Sequence, residues 1–333
     1  VLFRSMGKMH FRCYKSHKNI EVVAICDADL KQLKDTSGVK GNISGAEEKL
    51  DLSNISLYSD LSKMLAEEKL DAVSIATPTF LHATHSIEAL EAGLHVLCEK
   101  PMALNSADCL KMSAAAKHSG KILQVGHCIR FWPEYVQAKE IIDSQKYGNV
   151  LAATFQRLSL TPTWSWDNWF LDGNRSGGAM LDLHIHDADY VQYVFGTPKA
   201  VFSQGVLGPS QDYDHCHTQY LYDNESVITA EGGWIMSPGF GFEMSFKIML
   251  EEATLIYSSA QEATFRIYPK DGEMVKPDIP EGDGYSFEIK HFVEHISGKN
   301  VPSVITPEQS ADSVKIIEAE KESIRTMEKS SIS

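Results

Sequence analysis

Over the first 130 residues, short apolar runs alternate with segments whose apolar residues recur every three or four positions, and that alternation admits few folds. Strands buried on both faces and joined by helices build a parallel sheet with helices packed on it. The runs are Ile20–Cys26 (IEVVAIC), Ala72–Ala76 (AVSIA), His95–Cys98 (HVLC) and Ile122–Val125 (ILQV). Helical spacing fills Leu61–Glu68, Phe80–Ala92 and Ser106–His118, with Asn105 or Ser106 as N-cap and Gly120 as the stop.

After about residue 148 the texture changes to longer segments rich in β-branched and aromatic residues, the pattern of antiparallel sheet. Strands are expected at Val150–Leu158, Lys199–Val206, His217–Tyr222, Val227–Trp234, Phe242–Leu250, Ala253–Tyr257 and Ala263–Tyr268, with Asp223–Ser226 as a hairpin loop. A helix is expected at Met180–Val194, and two more close the chain at Ser286–Ile296 and Pro307–Lys329. The fold class is therefore α/β plus α+β. A parallel-sheet α/β domain is expected over residues 1–127, and an α+β domain with a large, mainly antiparallel open sheet over residues 128–333.

Composition limits what such a chain does. With 31 basic and 45 acidic residues among 333, the net charge of −14 argues against a broad nucleic-acid or anionic-membrane surface. No apolar stretch nears the roughly 20 residues that span a bilayer, so a cytoplasmic protein is expected. The six cysteines are scattered without a CxxC pair, which suggests neither a disulfide framework nor a cysteine zinc site. Open antiparallel sheets commonly pair, so a homodimer or homotetramer is expected. The polar stretch Gly38–Ser56 has no assignable role.

Three places can carry chemistry. Asp27 ends the run IEVVAIC, 20 residues beyond Gly7; in a Rossmann unit an acidic residue there bonds the adenosine ribose, favouring NAD over NADP, although alone it is as well a turn former. Thr77-Pro78-Thr79-Phe80-Leu81-His82 breaks a strand into a loop and then a helix, and Glu99-Lys100-Pro101 ends the next strand at the same rim, where open α/β sheets bind ligands. Third, in SGGAMLDLHIHD (Ser176–Asp187), a helix from Met180 sets Asp182 and His186 at i and i+4, a carboxylate beside an imidazole suited to taking a proton from an alcohol. The competing reading is metal, through His184 and His186 or His215 and His217 with Asp182 or Asp187; on a helix, however, residues two apart diverge, and no metal ligand is assigned. Trp164, Trp166, Trp169 and Phe170 crowd the segment before, as a sugar-stacking face or as core.

In this order, the pieces resemble the Gfo/Idh/MocA family of NAD(P)-dependent oxidoreductases over nearly the whole chain. ATPTFLHATHSIEALEAGLHVLCEKPMAL (Ala76–Leu104) looks like the family's stretch ending in Glu-Lys-Pro, QVGHCIRFWPEY (Gln124–Tyr135) its domain crossover, and SGGAMLDLHIHDADY its GGG-x-x-x-D-x-G-x-H segment. The resemblance implies a Rossmann domain binding NAD, and hydride transfer between nicotinamide and a polyol, inositol or sugar-like hydroxyl. It implies Lys100, Asp182 and His186 as catalytic residues, with His186 the base. Gly7, Asp27, Thr77, Pro78, His82, Glu99, Lys100 and Arg130 then lie along the cofactor. The alternatives are a non-catalytic sugar or nucleotide sensor on the same fold, and a metal-dependent hydrolase or isomerase.

Two departures stand out. His184 occupies a place where many members have glycine. At the other, the family's opening strand leads into G-x-G-x-x-G-x-x-H, but here only Gly7 and His10 fit its end, Leu2 and Arg4 standing at the first two glycine places. The first strand is thus expected to be missing or replaced. Val1–Ser5, which resembles a translated sequencing-library adaptor, is expected to be foreign to the fold. The polypeptide as written is then expected to bind NAD weakly or not at all, and micromolar affinity in titration calorimetry would overturn that expectation.

Overall fold

The structure, a computed structural model, describes residues 5–29 and 50–332. Leu2 and Arg4, the rest of Val1–Arg4, and the Gly38–Ser56 stretch as far as residue 49 lie outside the described residues. Contacts divide the chain into two compact units, Val1–Cys128 with Tyr285–Ala311 and Ile129–Gly284 with Asp312–Ser333. The sequence divides the chain once, near residue 127, whereas the contacts return residues 285–311 to the first unit.

In the first unit α1 (Ser5–Lys15) precedes β1 (Ala24–Cys26) and β2 (Ser56–Tyr58), which pair in parallel. Then follow α2 (Leu61–Glu67), β3 (Ala72–Ile75), α3 (His82–Glu91), β4 (His95–Glu99), α4 (Ser106–Ser119) and β5 (Leu123–Gly126), with β3, β4 and β5 in a second parallel sheet. Local chemistry sets the helix limits. The Asp60 carboxylate accepts from Lys63 N at 2.8 Å and the Asn105 amide oxygen from Asp108 N at 2.9 Å, while Gly120 ends α4 at φ 67°. The run IEVVAIC is strand only in its last three residues, and β2 was not expected. Among the described residues β1 and β3 each have one edge without a partner strand; both line a cavity of about 650 Å³ with Gly7 and His10.

In the second unit α5 (Pro133–Asp143) leads into β6 (Val150–Leu160), α6 (Gly173–Ser176) and α7 (Ile185–Phe195). Strands β7 (Ala200–Leu207), β8 (Tyr213–Leu221), β9 (Val227–Met236), β10 (Phe242–Leu250), β11 (Ala253–Ser258) and β12 (Phe265–Pro269) follow. Helix α8 (Gly284–Ile296) belongs almost wholly to the first unit, and α9 (Pro307–Thr326) precedes β13 (Ser330–Ser331). The sheet has eight strands in the order β12-β11-β10-β6-β9-β8-β7-β13, antiparallel except for the parallel pair β6–β9. The helix expected to begin at Met180 opens instead with a π-helical turn, Met180–His184, before α7.

Each unit has its own core. In the first, Ile289 and Phe292 of α8 pack with Cys13 and Leu97. In the second, the alternation of β6 turns Ala153, Phe155 and Arg157 inward, and Phe246 of β10 meets Tyr135, Tyr257 and Phe265 with ring centroids 5.0, 5.3 and 5.8 Å away. Such aromatic clusters carry much of a core's energy. Phe246→Ala is expected to lower stability by about 3–5 kcal/mol in urea unfolding, and a loss below about 1 kcal/mol would contradict this packing.

Candidate functional site

The carboxyl ends of β3 and β4 hold the residues singled out in the first unit. Thr77 and Pro78 follow β3, and Glu99 ends β4 immediately before Lys100 and Pro101, which are joined by a cis peptide bond. His82 opens α3 and is almost fully buried; its Nε2 lies 2.9 Å from Thr77 O and its Nδ1 2.7 Å from Pro101 O. The imidazole therefore braces the loop after β3 against the loop after β4. Burial holds its pKa below the ordinary histidine value, with both carbonyls pulling the other way. The Thr77 hydroxyl is buried without a hydrogen bond, and a bound polar group is what would satisfy it. Asp27 directly follows β1, fully buried, with Oδ1 accepting from Asp29 N at 2.9 Å, and Gly7 is buried on α1. These residues fit a dinucleotide laid across the strand ends.

Behind the rim, His10 Nε2 lies 2.8 Å from Glu99 Oε1, and Glu99 Oε2 accepts from Lys100 N at 3.2 Å. Burial opposes charge on Glu99, but His10, Lys100 and His82 outweigh it and hold its pKa below the ordinary carboxylate range. Glu288 of α8, not singled out in the sequence, converges on the same pair. Both its oxygens are buried without a hydrogen bond, and burial, then the Glu99 charge, pushes its pKa well above the ordinary range.

In the second unit Asp182 lies in the π-helical turn and His186 in the first turn of α7, so the expected i, i+4 helical spacing spans a junction of two helix types. Gly177 and Gly178 set up the turn with φ of 76° and 68°; a Cβ on Gly177 would lie 2.5 Å from Leu181 Cδ2. Arg130 is buried, its Nε and Nη2 each 2.8 Å from Asp189, whose Oδ1 also accepts from Ser313 at 2.7 Å. Arg157 holds Asp187 in the same way, so that carboxylate is taken up by a guanidinium. His184 is fully buried, with Nε2 3.2 Å from Glu320 Oε2, while His215 pairs with Glu231 at 3.1 Å. Phe170 packs on the cluster of Ala179, Leu183 and Trp234, and Trp166, 40% exposed, lies under Arg175.

Comparison with known proteins gives the family. A family model described as "Oxidoreductase family, NAD-binding Rossmann fold" matches residues 4–127, and one described as "GFO/IDH/MocA C-terminal domain" matches residues 135–256. The chain belongs to the Gfo/Idh/MocA family of NAD-binding oxidoreductases. It is 25% identical over 315 residues to D-glucoside 3-dehydrogenase of Escherichia coli, covering 88% of this chain and 85% of that one. It is also 25% identical to scyllo-inositol 2-dehydrogenase (NAD(+)) of Bacillus subtilis, covering 74% and 73% respectively. Levoglucosan dehydrogenase in complex with NADH and levoglucosan has the same fold, with a TM-score of 0.82 at 20% identity over 98% of this chain and 96% of that one.

Glu288 yields a pH prediction. Its raised folded pKa means that the native protein keeps a proton the unfolded chain sheds above about 4.3, so its stability contribution is full below that pH and is lost as pH rises through the folded value. Glu288→Gln keeps the neutral shape and cannot ionise. Its stability relative to the unsubstituted protein is expected to grow between about pH 5 and 8, by at most about 1.4 kcal/mol per pH unit, in urea unfolding; a flat difference would refute the neutral carboxyl.

Proposed function

We propose that the protein is an NAD-dependent dehydrogenase acting on a secondary hydroxyl of a sugar, glycoside or inositol. The observation that carries this reading is the braced rim: Thr77–Pro78 and Glu99–Lys100 at two adjacent strand ends, pinned to each other through His82. The substrates in the names of its relatives, a glucoside and an inositol, support the substrate class. Gly7, Asp27, Thr77 and Pro78 would hold NAD, which would supply the hydride acceptor.

The chain's own residues do the rest. Lys100, stiffened by Pro101 and with its backbone N–H on Glu99, presents an ammonium that orients the reacting hydroxyl and stabilises negative charge on its oxygen. Glu99 sets the field at Lys100 and is itself balanced by His10. We assign the hydroxyl proton to His186, whose imidazole takes it as the carbon–hydrogen bond breaks; Asp182 stabilises the imidazolium that forms. Arg130, assigned to the cofactor by the resemblance, is held within its own unit by both oxygens of Asp189, which fixes its guanidinium. The outward face of the eight-stranded sheet carries Phe202, Val206, Val227 and Met249, from 39% to 52% exposed, which supports self-association through that face.

The test is NADH formation, followed by absorbance, in protein given the G-x-G-x-x-G opening strand of a relative, across a panel of inositols, glycosides and sugar acids. Turnover is expected on at least one member, with Lys100→Ala lowering kcat by about 100-fold or more. A panel without turnover despite NAD binding, or a Lys100→Ala variant as active as the parent, would overturn the reading.

A further inference from the structure

We propose that His184, Cys216 and Glu320 bind one zinc ion, a structural site separate from the chemistry at Lys100. The three side chains come from the π-helical turn, the middle of β8 and the C-terminal half of α9, and each has no exposed surface. One donor atom of each lies within 4.8 Å of the others, with His184 Nε2 and Glu320 Oε2 3.2 Å apart. Tetrahedral zinc, with bonds of about 2.0–2.3 Å, separates its ligands by roughly 3.3–3.7 Å, so a small inward adjustment closes the set.

A second observation points to a cation. Both Glu320 oxygens are buried and face the His184 imidazole and the Tyr220 hydroxyl, whereas Asp187 and Asp189 each receive two hydrogen bonds from an arginine. A carboxylate stripped of water is costly unless positive charge sits on it, and neither the imidazole 3.2 Å away nor a phenol hydroxyl supplies the two full charges a metal ion would. Space for the imidazole is also provided. Gly232, the register partner of Cys216, sits where any Cβ would come within 2.7 Å of His184 Nδ1.

The donor set selects the metal. One thiolate, one imidazole and one carboxylate suit zinc rather than magnesium or calcium, and the two negative charges balance the ion. The Tyr220 hydroxyl, 3.4 Å from His184 Nε2, or a water completes the fourth position. The other converging group, His10, Glu99 and Glu288, has no sulfur donor, and His10 and Glu99 already bond each other at 2.8 Å. Zinc at His184 would tie α9 and β8 to the turn that holds Asp182 and fix its backbone.

Full-length protein is loaded with zinc, freed of loose metal by gel filtration and assayed by elemental analysis, then exchanged with cobalt and followed by absorbance. About one zinc per chain is expected, together with a thiolate-to-cobalt charge-transfer band that zinc displaces and Cys216→Ser abolishes. Glu320→Gln should weaken cobalt binding by about 10-fold or more. X-ray absorption on the zinc-loaded parent, which needs no variant to fold, should count one sulfur at about 2.3 Å with nitrogen and oxygen ligands. Protein that retains no zinc, a zinc shell without sulfur, or a charge-transfer band that survives in a folded Cys216→Ser would each overturn the proposal.

Discussion

Carboxylates taken out of water govern how each unit holds its own elements together. Asp187 and Asp189, two residues apart on α7, are fully buried, and each is clamped by a guanidinium, Arg157 from β6 and Arg130 from the segment before α5. Removing either arginine would leave a charge that the interior cannot solvate, so each pair ties α7 to the segment that carries its arginine. In the first unit the same rule binds α1 to β4, because His10 lies 2.8 Å from buried Glu99 and, with Lys100 and His82, holds its pKa below the ordinary carboxylate range. Helix positions, and with them the orientation of Lys100 in one unit and of His186 in the other, follow from charge pairing as much as from hydrophobic burial.

Legibility in the sequence follows the same division between local and distant causes. Strands β3, β4 and β5 were readable because burial on both faces makes them nearly continuous apolar runs, and α4 because Asn105 and Gly120 bracket it. β2 was not, since its three residues carry no alternation and its outer two-thirds is exposed. Nor was the short extent of β1, where Ile20–Val23 has strand composition but no ladder.

Among the functional residues, the identity of His82 and Arg130 was readable and their contacts were not. His82 meets two carbonyls, one five residues before it and one 19 after, and Arg130 meets Asp189 across 59 positions. Glu288 and Glu320 carried no signal at all. Each reads as an ordinary polar position of a helix, and only tertiary packing turns it into a buried acid beside a histidine. His184 did carry one, standing where the resemblance expects glycine, and the structure accounts for its size with a glycine across the sheet at 232.

The π-helical turn has a consequence for what the chain tolerates. An α-helix advances about 100° per residue, so the one extra residue accommodated at Met180–His184 sets the angular phase of everything in α7 that follows. That phase is what sends Asp187 and Asp189 to two different arginines while His184, just upstream, faces the sheet. Losing a single residue there would rotate Asp187, Asp189 and His186 together by about a quarter turn, dissolving both clamps at once. Length in this turn is therefore under tighter constraint than the chemical identity of most residues in it, and insertions and deletions should be confined to its flanking loops.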